Sequence, residues 1–176
     1  GGFQMLGSSI ADPQGIENQG ESSSRKGLGF LAVRTVLHTE KTVRRVEGYL
    51  RSEFLGQFPE NHIEGYEIHV GETFYEPGSR PLADIVRHGI PGSVPDGAVS
   101  PSGRVLGTYV HGLFDNDDFR HALIAAARRA VGLAPAKAWA DVAAEREARI
   151  DRLANHLRKS LDINRVRSWI VGPSKR

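Results

Sequence analysis

Cysteine is absent from all 176 residues, which excludes disulfides and thiolate metal sites and leaves the chain without a thiol nucleophile. Methionine occurs once, at Met5. The chain opens on Gly1-Gly2-Phe3 with neither an initiator methionine nor a charged-then-apolar leader, so it reads as a sequence cut from a longer one. No apolar run approaches the ~20 residues that a membrane-spanning helix needs, and a cytoplasmic protein with no membrane partner is expected. Charge of one sign is also scarce, with a formal net of +2. Lys and Arg gather mostly in the last third, interleaved with Asp, Glu and Ala, which is the pattern of solvated helix faces. A basic surface with stacking aromatics is missing, so nucleic acid is not expected as a partner.

What remains is enough material for one sizeable core, read as a single domain with no internal repeat. Met5, Leu6 and Ile10 lie at helical spacing, predicting a short helix over residues 3–10. Residues 11–26, rich in Gly, Ser, Asn, Gln and Pro, predict a loop. Strand composition follows at 29–37 and, more loosely, at 41–46, and residues 51–60 read as a surface excursion without a period. In Gly65-Tyr66-Glu67-Ile68-His69-Val70-Gly71, Tyr66, Ile68 and Val70 alternate with Glu67 and His69. That spacing predicts a half-buried strand with a carboxylate and an imidazole side by side on one face. The turn-rich tract 76–103 holds most of the prolines and suits surface structure, with brief pairing over 82–86. A strand is predicted at 105–110. Helices follow at 117–131, with Asn116 or Asp117 as N-cap and Gly132 as stop, and at 141–161, with Val142, Ile150, Leu153, Leu157 and Leu161 on one face. A last short helix over 162–170 would pack Val166, Trp169 and Ile170.

Two places carry chemistry. Gly107-Thr108-Tyr109-Val110-His111-Gly112-Leu113-Phe114 delivers an imidazole at the end of an apolar strand into a glycine turn, where it could take a proton from a thiol or hydroxyl, or could simply cap the strand. Gly1 and Gly2 ahead of a helix are what a nucleophile elbow has on its C-terminal side, with the Gly1 amide as the oxyanion donor. They are equally compatible with a flexible stretch. Glu67 and His69 could be an orienting pair, a glutamine-binding edge or a polar strand face. No third ligand stands at metal-site spacing, so metal catalysis is not expected.

Gly1-Gly2-Phe3-Gln4-Met5-Leu6-Gly7 resembles the stretch after the catalytic cysteine in class I glutamine amidotransferase domains of the cobyric acid synthase type, Gly-Ile-Cys-Gly-Gly-Tyr-Gln-Met-Leu-Gly. Asp12-Pro13-Gln14-Gly15-Ile16-Glu17 resembles that family's Asp-Pro-x-Gly-x-Glu loop. Gly27-Leu28-Gly29-Phe30-Leu31 is similar to its Gly-Leu-Gly-Leu-Leu, and Lys41-Thr42-Val43-Arg44 to its Lys-Thr-Leu-Arg. The segments 65–71 and 107–114 are similar to Gly-Tyr-Glu-Ile-His-Met-Gly and Gly-Thr-Tyr-Leu-His-Gly-Leu-Phe. Order and spacing agree from Gly1 to about Leu161. Phe3 replaces the usual Tyr, so no role rests on that hydroxyl, and residues 49–61 match nothing in the family.

The resemblance implies a flavodoxin-like α/β amidotransferase domain, incomplete at its N-terminus, with strands alternating with helices around an open sheet whose bare edge makes the piece poorly soluble alone. It places the nucleophilic cysteine one residue before Gly1, with His111 as its base. The family lacks an acid two residues after that histidine, and here the position is Leu113, so a Cys-His dyad is implied and Glu67 is at most an orienter. The chain as written would not hydrolyse glutamine. In the intact protein, ammonia from glutamine would serve an ATP- and Mg-dependent synthetase domain that amidates corrin carboxylates of adenosylcobyrinic acid a,c-diamide in cobalamin biosynthesis. Competing readings are cobyrinic acid a,c-diamide synthase, a Mur-ligase-associated glutaminase, and a non-catalytic binding or assembly module.

Overall fold

The computed structural model describes residues 1–51 and 61–171. The excursion expected over 51–60 thus falls, but for its first residue, outside the described residues. Two compact units are present, Gly1–Ala136 and Lys137–Arg176.

The first unit is mixed α/β around a mixed sheet, in keeping with a flavodoxin-like amidotransferase domain. Its helix α1 (Gly2–Leu6) is followed by strands β1 (Ser9–Asp12), β2 (Ser23–Lys26), β3 (Val33–Leu50), β4 (His62–Tyr75), β5 (Ala83–Arg87), β6 (Ser93–Asp96), β7 (Ala98–Val99), β8 (Leu106–Gly107) and β9 (Val110–His111), a 3-10 turn (Leu113–Asp115) and α2 (Asp117–Ala130). Helices do not alternate with strands along the chain as expected, because among the described residues no α-helix stands between β1 and β9, and these strands pair mostly antiparallel. The sheet runs β2-β1-β3-β4-β9, with β5 on β3 and β6 on β5, and among the described residues only β1 and β3 pair in parallel.

Several differences from the sequence reading have local causes. The first helix ends at Leu6, and Ile10 belongs to β1, because Gly7 turns the backbone into the sheet. A Cβ on Gly7 would lie 2.5 Å from the Val33 carbonyl oxygen, and Ser8 N–H donates to that oxygen at 2.7 Å. The ends of the expected 11–26 loop are strands, since Ser9 to Asp12 pair with Lys26 to Ser23. β2 is a polar edge strand with no apolar period to betray it. The two strands expected over 29–46 are one, β3, with a register shift between Val36 and Lys41. Its buried alternation at Val33, Thr35 and Leu37 resumes at Val46.

The tract 76–103 is not simply surface. It supplies β5, β6 and β7, and its Leu82, Ala83, Ile85, Ala98 and Val99 are buried. The strand expected at 105–110 is broken into β8 and β9, because Asp96 takes the Thr108 hydroxyl and the Tyr109 N–H as hydrogen-bond donors and holds those residues off the ladder. Beyond β9, Leu113 and Phe119 anchor the 3-10 turn and α2 in the main core with Val46, Ile63, Leu82 and Val110. Each such fully buried side chain contributes about 1.5–3 kcal/mol.

Asn116 is the N-cap of α2, yet its side chain bridges to β4 instead of capping. It accepts from Glu64 N–H at 3.1 Å and donates to the Glu64 carbonyl at 3.0 Å. Gly132, at φ +73°, ends the helix, with Leu133 N–H donating to the Arg128 carbonyl at 2.8 Å.

The second unit consists of α3 (Val142–Ser160) and α4 (Ile163–Val171). Asp141 caps α3 by accepting from Ala144 N–H at 2.8 Å. The expected apolar face is there, but no residue of α3 is buried. In α4 the expected packing extends only to Val166, which is partly buried; Trp169 and Ile170 are exposed. No helix among the described residues is long and apolar enough to cross a membrane.

Candidate active site

Gly1 and His111 lie on one cleft of about 620 Å³, lined also by Gln4, Asp12, Arg25 and Lys41. Gly1 is the N-cap of α1, its carbonyl accepting from Met5 N–H at 3.0 Å, and Gly2 opens the helix, exposed. His111 is placed by a close approach of two strands. A Cβ on Gly65 would lie 2.3 Å from the His111 carbonyl oxygen and 2.7 Å from Val110 Cγ1, so a side chain there would push β9 off β4. Gly112, at φ +80°, then turns the chain into the 3-10 turn, a conformation that glycine adopts without strain. The His111 side chain is exposed, and among the described residues nothing hydrogen-bonds its ring. Leu113, at the position where an acid would stand, is turned into the core at 3% exposure.

Glu67 and His69 are brought together, but only Glu67 is absent from the lining of the His111 cleft, whereas His69 lines that cleft as well. In the antiparallel ladder Tyr66 faces His111 and Glu67 faces Val110. Directly opposed residues share a face, so Glu67 is on the side of the sheet away from the His111 imidazole. The alternation read from the sequence is present, and the face that carries the carboxylate is the more buried one. Glu67 is buried, whereas Tyr66 is 54% exposed.

A buried carboxylate needs partners, and Glu67 has two. Arg87 of β5 donates Nε–H and Nη2–H to its two oxygens, both at 2.7 Å, and His69 Nε2 stands 3.0 Å from Oε1. Burial pushes the Glu67 carboxyl up, but the hydrogen bonds from Arg87 and His69 outweigh it and hold the group at about 2. The other His69 nitrogen, Nδ1, meets the Gly71 carbonyl at 2.8 Å, so both ring nitrogens face acceptors. The ring itself stacks on Tyr109, with centroids 4.1 Å apart. Glu67 therefore orients His69, and among the described residues no hydrogen bond or ion pair joins it to His111.

These groups line a second, polar cleft of about 450 Å³, which also holds Asp96 and Tyr75. Burial pushes the Asp96 carboxyl up, against the hydrogen bonds from Thr108 and Tyr109. Sequence reasoning missed Arg87 and Asp96, because both lie in the tract read as surface. The available signal for Arg87 was the glutamate itself: a carboxylate on the buried face of a strand requires a cation from a neighbouring strand. Among the described residues no group of three His, Asp or Glu side chains is arranged to hold a metal ion.

Residues 1–119 match the CobB/CobQ-like glutamine amidotransferase domain. The cobyric acid synthase of Moorella thermoacetica is 38% identical over 168 residues, covering 94% of this chain and 32% of that protein. That of Cereibacter sphaeroides is 42% identical over 163 residues, with 93% and 30% covered. That of Klebsiella pneumoniae is 39% identical over 169 residues, with 94% and 32% covered. The chain thus spans about a third of the length of these curated relatives.

Proposed function

Since the chain belongs to the CobB/CobQ-like glutamine amidotransferase domain family, we propose that it is the glutamine-hydrolysing portion of a cobyric acid synthase, with His111 as the proton carrier of its reaction. The observation that carries the proposal is the sharing of one cleft by Gly1 and His111, the imidazole exposed and, among the described residues, free of hydrogen bonds.

In this reading a cysteine stands directly before Gly1. His111 takes the thiol proton as the sulfur bonds to the carboxamide carbon of glutamine. It returns that proton to the departing nitrogen, so that ammonia leaves and a glutamyl thioester remains. Water then adds to the thioester while His111 holds its proton, and collapse gives glutamate and restores the thiol. The Gly1 amide is the candidate donor to the developing oxyanion, and Gly2, with no Cβ, leaves the turn open to the substrate. No acid is assigned to the imidazole, in agreement with the inward turn of Leu113.

The relatives' name extends the reading to the whole protein: the ammonia would amidate corrin carboxylates in cobalamin biosynthesis. ATP and Mg would serve that carboxylate-activating step, and no residue of this chain is assigned to them. The test is full-length protein carrying His111→Ala, assayed with glutamine and with ammonium as nitrogen donor. Glutamine-dependent amidation should be lost and ammonium-dependent amidation kept; equal loss with both donors overturns the assignment.

A further inference from the structure

An imidazole with no side-chain orienter has to be held through its backbone, and β9 is a slender support. It contributes two residues, Val110 and His111, to the ladder with β4. The residue before it is fixed on every side. The Tyr109 ring lies between the face of His69, at 4.1 Å, and the ring of Phe3, met edge-on at 4.9 Å. Its hydroxyl meets Thr73 Oγ1 at 2.6 Å, and Thr73 in turn meets Thr35 at 2.9 Å. Its N–H donates to Asp96, and its carbonyl accepts from Ile68 N–H at 3.2 Å.

Phe3 is equally constrained. A Cβ on Gly107 would lie 2.4 Å from Phe3 Cδ2, so the backbone of β8 lies directly against the Phe3 ring. Residues 107–109 therefore grip α1 two positions after Gly1 and deliver His111 two positions further on. We infer that Tyr109, clamped between His69 and Phe3, is the positioning residue that sets His111 relative to the Gly1 end of α1, in place of the acidic orienter the imidazole lacks. Glu67 and Arg87 extend the brace by holding His69, which accounts for a buried ion pair on the face of the sheet that His111 does not use. The inference rests on the reading of His111 as the glutaminase base.

The test uses full-length protein with Tyr109→Leu, Tyr109→Phe and Phe3→Leu, alongside Ile85→Val as a buried change in β5 outside the clamp. Misplacement by about an ångström costs on the order of a hundredfold in rate. Tyr109→Leu should lower kcat with glutamine by roughly that factor, with KM for glutamine nearly unchanged and ammonium-dependent amidation retained. Tyr109→Phe keeps both ring contacts and should preserve kcat to within a few-fold. Phe3→Leu should lower it in the same sense and non-additively with Tyr109→Leu, and Ile85→Val should leave it unchanged.

Glutamine-dependent kcat close to wild type in Tyr109→Leu and Phe3→Leu overturns the inference. So does a loss shared equally by the ammonium reaction, or one matched by Ile85→Val, since either marks a general loss of fold. If Tyr109→Leu does not fold, Phe3→Leu and Tyr109→Phe decide by the same criteria. Failure of the underlying reading is separate: His111→Ala would then keep its glutamine-dependent activity.

Discussion

His69 and His111 both lie on strands of one sheet, and their surroundings are opposite. His69 is enclosed. One ring nitrogen meets a backbone carbonyl, the other meets the Glu67 carboxylate, and its face is covered by Tyr109. His111 is exposed at the end of a two-residue strand, its ring without a hydrogen bond among the described residues. A histidine whose every donor is engaged stiffens a fold; one with both nitrogens available can exchange a proton with a substrate. The carboxylate that the sequence sets two residues from His69 serves the first kind and not the second.

Exchanging the two losses breaks the comparison most severely if it is wrong. His111→Ala should reduce glutamine-dependent turnover of the full-length protein by on the order of 10²–10⁴-fold, with little change in the denaturation midpoint, because the ring is exposed and makes no hydrogen bond among the described residues. His69→Ala should act chiefly on the fold, lowering stability by about 2–4 kcal/mol through lost packing and the weakened Glu67 network, with a smaller fall in glutamine-dependent turnover because one side of the clamp on Tyr109 is lost. Turnover measured beside chemical denaturation separates them. A stability loss in His111→Ala would show that its environment is not the open one described.

The next effect sharpens the enclosed side. Glu67 is held at about 2 in the folded protein, below its usual value near 4.5. A depressed carboxyl stabilises the fold above the unfolded value and loses that contribution as pH falls through the folded one. The shift corresponds to about 3 kcal/mol. Glu67→Gln should therefore unfold about 3 kcal/mol more readily at pH 7, with the gap to wild type closing between pH 4.5 and 2. A gap independent of pH would mean that the loss is one of shape and not of charge.

Much of this contrast was legible in the sequence, and the limits have physical causes. The period-two alternation of Tyr66 to Val70 announces a strand, but alternation fixes only which residues share a face. The paired cation that makes the polar face the buried one comes from Arg87, twenty residues away on another strand. The α2 helix is legible from its apolar spacing and from Gly132, because both signals are local. The long β3 is not, since Lys41 to Arg45 are partly or fully exposed and offer no alternating burial to read. Asp96 is invisible for a similar reason: proline-rich, turn-rich chain resembles surface, although Leu82, Ala83 and Ala98 beside it are buried. His111 was found because its glycine turn and strand end are both encoded within a few residues.

On the open side, Gly65→Ala tests whether strand contact positions His111. The added Cβ would lie 2.3 Å from the His111 carbonyl oxygen, a backbone atom that has to move. Overpacking of this kind costs about 1–3 kcal/mol. Glutamine-dependent kcat should fall with it, while amidation from ammonium should not. Unchanged kcat in a destabilised Gly65→Ala protein would separate the fit of β9 from the placement of the imidazole.

The smallest expected effect has the opposite sign and comes from the link between the two histidines. Asp96 fixes Thr108 and Tyr109, between the clamp around His69 and the strand of His111, and its carboxyl is pushed up by burial. A carboxyl raised in the folded state binds its proton more tightly there, so its contribution to stability is fullest below the unfolded value and declines as pH rises through the folded one. Asp96→Asn removes that charge while keeping an acceptor for the Tyr109 N–H and a polar partner for the Thr108 hydroxyl. Stability at pH 7 should rise, by about 1 kcal/mol at most, and the gain should vanish on acidification. Denaturation midpoints of wild type and Asp96→Asn across pH 4 to 8 measure this directly. A loss at pH 7 as large as that of Glu67→Gln would mean that the ionised carboxylate is needed to hold Tyr109, and that the brace depends on charge on both sides of its ring.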